Sequence, residues 1–325
     1  MWYAMRSDGK ERSVESGNFM KALSERSQHV VHLTHNDLDA AGGDAIHRLC
    51  YGEVFTIWSS VGKFSSLFNA VAGSPGRGDL LSISDLGCQN GYVEKIKKAK
   101  SNGWRVEWRD HHRWRPEEIA AVENLIDVLH VDPSVCATAI VARDLLPGDG
   151  TAAEIARVVC DYDLWKHEDP RSRVLGMVVM RKGNRDYVRD RLAEGVFTDP
   201  HIEKVYTDIT REMHEKIQKS IRHTKIYGTK YRVAFAPLYG YPSETAHAIR
   251  DEMGTDIEVV VSAGGKFSIR SVPGISHLIA REFGGGGHPN AAGGNFPFGL
   301  LDKIAFLLLK RTRHFARLVE VAESL

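Results

Sequence analysis

Seven acid and imidazole side chains stand out by where they fall. His35, Asp37 and Asp39 follow the apolar run VVHLT, Asp85 follows LLSIS, and Asp110, His111 and His112 follow WRVEW. Carboxylates and imidazoles at this density, with no thiolate among them, suit Mn2+ or Mg2+ better than structural zinc. Carboxylates crowded together repel one another, so such a set needs cations to be stable. The count is enough for two ions that share a bridging carboxylate. Two ions about 3.5–4 Å apart form a clamp for in-line hydrolysis of phosphate esters. A single Asp or His after a strand is ordinarily a turn or cap residue. The recurrence after three strands is what points to a site.

The elements that must position these residues alternate in type. Apolar strand candidates at 29–35, 53–60, 79–87, 104–110 and 128–134 are separated by helical stretches. That alternation predicts an α/β fold, a mostly parallel sheet with helices on both faces. In such sheets ligands gather outside the carboxyl ends of the strands, where all three clusters fall. From Thr151 the chain reads as helical, and Thr151 with Glu154 fits a capping box. Ile202, Val205, Ile209, Met213, Ile217 and Ile221 repeat every three or four residues, one stripe of a long connector helix. A smaller α/β unit follows. It has a strand at 231–239, a helix capped by Ser243, a hairpin at 256–272 turning at Gly264–Gly265, a helix at 275–283, and then GGGGHPNAAGG. The expected organisation is residues 1–190, a helical linker at 191–228 and a second domain at 229–325, with the active cleft between the two domains.

Composition narrows the function. The 325 residues are 42% hydrophobic, enough for two cored domains. Lys and Arg number 43 against 42 Asp and Glu, a net charge of +1. That balance disfavours a long duplex as the main partner but permits short oligonucleotides held by a local cluster. No apolar run is long enough to span a bilayer, and MWYAMRSDGKERS lacks the apolar core of a leader. Cys50, Cys88, Cys136 and Cys160 show no metal spacing and read as reduced, buried thiols of a cytoplasmic protein. Trp108 and Trp114 read as packing residues. Arg109, Arg113 and Arg115 read as partly solvated, with at most one reaching a phosphate. His130 and Asp132 read as structural.

THNDLDA, SDLG, RDHH and CDYDLW occur in the order found in the DHH phosphoesterase superfamily, and GGGGHPNAAGG resembles the signature of the DHH-associated C-terminal domain. The five motifs run from about residue 29 to 300. Any one of them is weak, but five in order are specific. The two-domain size resembles the nanoRNases and their relatives that hydrolyse short oligonucleotides or dinucleotides. The tight H-x-D-x-D spacing is similar to that of RecJ-type single-strand exonucleases.

The resemblance implies roles. His35 and Asp37 hold one Mn2+, Asp39 and His111 hold the second, and Asp85 bridges, so that a bridging hydroxide attacks the phosphate in line. The fourth motif supplies a last carboxylate, assigned to Asp161 because it closes an apolar segment four residues before Trp165, with Asp163 the rival. Asp110 orients a histidine, and His112 faces the substrate phosphate. In the second domain Gly284–Gly287 present no side chains, so their backbone N–H groups can meet a phosphate directly. The substrate-binding set is His112, Arg270, Gly285, Gly286, Gly287 and His288. The expected partner is a short single-stranded RNA or DNA or a dinucleotide, with a homodimer as the candidate assembly. Cyclic dinucleotides, 3′-phosphoadenosine 5′-phosphate and longer single strands remain open as substrates. The non-enzyme alternative is an RNA-binding protein that uses the glycine-rich domain.

Overall fold

Period-two alternation gives the first sheet two unlike faces. Val31 and Leu33 on β1 (Val30–Thr34) and Leu81 and Ile83 on β3 (Leu80–Ser84) point to one side, while His32, Thr34, Ser82 and Ser84 point to the other. The computed structural model describes residues 18–325, so the segment MWYAMRSDGKERS lies outside the described residues. The chain divides into two compact units at Tyr206–Thr207.

In the first unit, β1 is followed by α1 (Leu38–Tyr51), β2 (Phe55–Trp58), α2 (Val61–Ala72), β3, α3 (Tyr92–Ser101), β4 (Arg105–Asp110), α4 (Pro116–Ala120) and β5 (Val128–Val131). The strands pair in the order β2-β1-β3-β4-β5, all parallel. The apolar face packs on Phe64 and Phe68 of α2, Ile96 of α3 and the buried Trp108. The second core lies among α1, α5 (Ala137–Leu145), α6 (Gly150–Asp163), α7 (Pro170–Val179) and α8 (Arg185–Ala193). The helix α9 (Pro200–Arg222) carries the expected stripe. Ile202 joins the core of the first unit, and Ile217 and Ile221 join a cluster of the second.

The second unit holds β6 (Lys225–Tyr227), β7 (Val233–Pro237), α10 (Pro242–Met253), β8 (Ile257–Val261), β9 (Lys266–Ser271), α11 (Ser276–Arg281), β10 (Gly286–His288), β11 (Ala291–Asn295), α12 (Leu300–Leu309) and α13 (Arg313–Ser324). Its mixed sheet runs β10-β11-β9-β8-β7-β6. Gly265, at φ +92°, makes the turn of the β8–β9 hairpin, as the sequence predicts.

Several local expectations are corrected. Asp149, not Thr151, caps α6 by accepting from the Ala152 N–H at 2.8 Å. Ser243 lies inside α10, and its hydroxyl accepts from Arg270 at 2.8 Å. Arg109 is buried between Glu107 and Asp144, at 2.7 and 2.8 Å, and is not free for a phosphate. Cys136 and Cys160 form a disulfide, against the expectation of reduced thiols, while Cys50 and Cys88 are free. The pairing was hidden because the two residues stand 24 apart and meet only when α5 packs on α6. No helix among the described residues is long and apolar enough to cross a membrane.

Gly42 sets how closely α1 approaches its neighbours. A Cβ there would stand 2.8 Å from both Thr138 Oγ1 and Val159 Cγ2. We expect Gly42→Val to destabilise the protein by about 1–3 kcal/mol through overpacking, read as a lower midpoint in chemical denaturation; an unchanged midpoint would mean the helices can part freely. Reducing Cys136–Cys160 opens a 24-residue separation. The loop-entropy estimate for that length is about 3–4 kcal/mol, so the midpoint should fall under dithiothreitol in the native chain and not in a Cys136→Ala variant.

Candidate metal centre

Parallel pairing in register brings three strand ends side by side. Thr34 of β1 pairs with Ser84 of β3, and Ser84 pairs with Arg109 of β4. The residues that follow, His35, Asp85 and Asp110–His111, therefore stand in a row at the carboxyl edge, where Asp85 takes a left-handed φ of 53°.

Asp37 is both a helix cap and a site residue. One oxygen accepts from the Ala40 N–H at 3.1 Å, and the other lies 2.6 Å from His35 Nδ1. Asp39, in the first turn of α1, is buried, and its two oxygens accept from Ala137 and Thr138 N–H at 2.8 and 2.7 Å. Those donors open α5, so the helix N-terminus holds the carboxylate. His111 Nε2 lies 3.3 Å from Asp85 Oδ1 and 3.7 Å from Asp39 Oδ2, and its Nδ1 lies 3.5 Å from Asp163 Oδ2.

Among the described residues, three groups have ligand atoms within 4.8 Å of one another: His35–Asp37–Asp85, Asp39–His111–Asp163 and Asp85–His111–His112. Asp85 belongs to two of them. Asp85 Oδ2 and Asp163 Oδ2 are buried with no hydrogen-bond partner. Burial, and then the Asp39, Asp37 and Asp163 charges, push the Asp85 carboxyl well above its usual range. Burial and Asp163 push Asp39 up to about 6, against the opposing pull of His111. Burial also raises Asp163. Asp37 goes the other way: burial raises it, but His35 and the Ala40 N–H together hold it below the ordinary value. Orphaned oxygens and mutually raised carboxyls mark negative charge that lacks a counter-charge. The donor set fits hard divalent cations.

Asp161 is placed elsewhere. Its oxygens accept from Glu168 N–H at 2.9 Å, Asp169 N–H at 3.2 Å and Ser172 Oγ at 2.5 Å, which ties the end of α6 to the start of α7. Two residues along a helix differ by about 200°, so only one of Asp161 and Asp163 can face His111. The structure puts Asp163 there. Asp110 is fully buried, with one oxygen 2.8 Å from His112 Nδ1 and the other accepting from Trp114 Nε1 at 2.6 Å. Both of its oxygens are thus engaged by neighbouring side chains. That hydrogen bond, outweighing partial burial, raises the pKa of the half-exposed His112.

In the second unit the glycines are part of a hairpin. Gly286–His288 form β10, paired antiparallel with β11. The Gly285 N–H donates to Ala280 O at 2.9 Å, and a Cβ there would stand 1.9 Å from Gly293 O. Gly285 thus serves close packing, and its N–H is not free for a phosphate. Gly286, Gly287 and His288 are exposed. Arg270 is partly buried and donates to Ser268 and Ser243.

A buried polar network went unnoticed in the sequence. His32 lies 2.6 Å from Asp44 and 2.8 Å from Ser84 Oγ, and Thr34 Oγ1 donates to Ser84 O at 3.0 Å. The signal was present: His32 and Thr34 alternate with apolar residues in β1, as Ser82 and Ser84 do in β3.

No family model matches the chain. The oligoribonuclease NrnB of Bacillus subtilis (strain 168) is 22% identical over 291 residues, covering 81% of this chain and 72% of that protein. Among solved structures, PggH of Vibrio cholerae, a pGpG-specific phosphodiesterase, aligns at TM-score 0.56 and 12% identity over 90% of this chain and 99% of its own. The exonuclease RecJ bound to manganese aligns at TM-score 0.51 and 15% identity over 100% and 97%. The two structures share this chain's fold.

We expect Asp163→Asn to abolish turnover assayed in the presence of Mn2+ with the fold intact. Asp161→Asn should keep turnover and lose about 1.5–3 kcal/mol of stability, the scale of charge-assisted bonds. Turnover assays with denaturation curves on both variants decide it, and the opposite ranking would return Asp161 to the site.

Proposed function

We propose that the chain is a member of the DHH phosphoesterase superfamily and a Mn2+-dependent phosphodiesterase of short single-stranded oligonucleotides or dinucleotides. The observation that carries this reading is the position of Asp85, shared between two acid and imidazole groups and buried with one oxygen unpartnered. His35, Asp37 and Asp85 would hold one ion, and Asp39, His111 and Asp163 the other, with Asp85 between them. An ion held there would supply Lewis acidity toward a phosphoryl oxygen and would lower the pKa of a water.

The remaining roles fall to the protein's own groups. His111 spans Asp85, Asp39 and Asp163 and fixes their spacing. Asp110 engages His112 Nδ1, which leaves Nε2 of the half-exposed ring to donate to a phosphoryl oxygen. In the second unit, Arg270 and the exposed Gly286, Gly287 and His288 are the candidates for contacts to a substrate phosphate. A net charge of +1 supports a small anionic footprint. The names of two relatives, an oligoribonuclease and a pGpG-specific phosphodiesterase, support the same class. The H-x-D-x-D spacing favours, as the second reading, exonuclease action on longer strands.

A panel of two- to ten-nucleotide RNA and DNA, long single strands and cyclic dinucleotides, assayed with Mn2+, separates the two. We expect kcat/KM to be highest for the shortest linear substrates and Asp85→Asn to be inactive on all of them. His288→Ala should lower kcat/KM on dinucleotides about ten- to hundredfold, the worth of one charge-assisted contact. A preference for long strands would replace the first reading with the second.

A further inference from the structure

The helix α12 carries its apolar side chains on the wrong face for a solvated helix. Asp302 and Phe306, four apart, are its buried residues. Leu300, Leu301, Ile304, Leu307 and Leu308 share the opposite face by helical spacing, and all are exposed, Leu301 at 81% and Leu308 at 76%. Contiguous exposed apolar patches of this kind mark interaction sites rather than ordinary solvated surface. Beside it opens a cavity of about 400 Å3 lined by Tyr227, Ala305, Leu309, Arg311, Arg313 and Phe315. Thr312 also lines it, with Oγ1 buried and without a hydrogen-bond partner.

The charge around this face is one-sided. Residues 300–317 contain Lys303, Lys310, Arg311, Arg313 and Arg317 against the single acid Asp302, in a chain whose net charge is only +1. Lys303, Arg311 and Arg313 are exposed. A second copy of the chain fits this poorly. A two-fold contact sets the same patch against itself, so the basic rims would face each other. An anionic bilayer fits both halves at once: leucines enter the acyl boundary while Lys and Arg meet headgroup phosphates.

We infer that the outer face of α12, with the cavity beside it, is a peripheral docking site for anionic phospholipid membranes. The helix lies on the surface and does not cross it.

The test is co-sedimentation of the full chain with vesicles. We expect binding to vesicles of equal phosphatidylglycerol and phosphatidylcholine to be at least about tenfold tighter than to phosphatidylcholine alone, and to weaken with salt. The double variant Leu301→Glu/Leu308→Glu should lose that binding, with an unchanged circular dichroism spectrum and unchanged dinucleotide hydrolysis in solution. Arg311→Ala should weaken it about fivefold. Wild-type protein that stays in the supernatant with both vesicles overturns the inference, as does equal binding to neutral ones. A wild-type dimer by light scattering that the double variant converts to monomer also overturns it, since the face is then covered by a second copy.

Discussion

A buried carboxylate without a counter-charge is the constraint around which the first unit is arranged. Asp85 sits at the end of β3 in a left-handed backbone conformation, with its N–H bonded to Arg109 O at 3.2 Å. A non-glycine residue there costs of order 1 kcal/mol or more and persists only where its surroundings hold it. Asp39, Asp37 and Asp163 crowd the same space. Left alone, these charges repel. With cations between them, the same crowding becomes affinity.

The surroundings that hold Asp85 are polar and lie beneath it. Ser84, its neighbour, is gripped by Thr34 and by His32, and His32 is fixed by Asp44. Asp44 also takes Arg48 at 3.1 Å and Thr56 at 2.8 Å. Burial opposes its ionisation, yet His32 and Arg48 hold its carboxyl down to about 2. A fully satisfied buried network is stiff, and this one fixes the strand end that presents Asp85. On the other side, the α5 N-terminus fixes Asp39 while the Cys136–Cys160 disulfide links α5 to α6, the helix that ends in Asp163.

Much of this was legible in sequence because it is periodic. The five strands and the clusters beyond them follow from alternation and from the carboxyl-end rule, and the order of the motifs carries the resemblance to the DHH phosphoesterases. What was missed depends on packing. Asp161 and Asp163 look alike until the rotation of α6 is known, and the Ser172 hydroxyl that claims Asp161 lies eleven residues on. The disulfide and the burial of Arg109 depend on contacts between residues 24 and 35 apart in the chain, and the tight approach at Gly285 depends on how the next strand folds back to Gly293. The capping box at Thr151 failed to a stronger local competitor, Asp149, two residues earlier.

The most direct measurement is a crystal structure of the protein grown with Mn2+, with anomalous differences recorded at the manganese edge. The account predicts two peaks flanking Asp85, one near His35 and Asp37 and one near Asp39, His111 and Asp163. Peaks absent from Asp85, or a single ion with Asp161 in its coordination sphere, would contradict it.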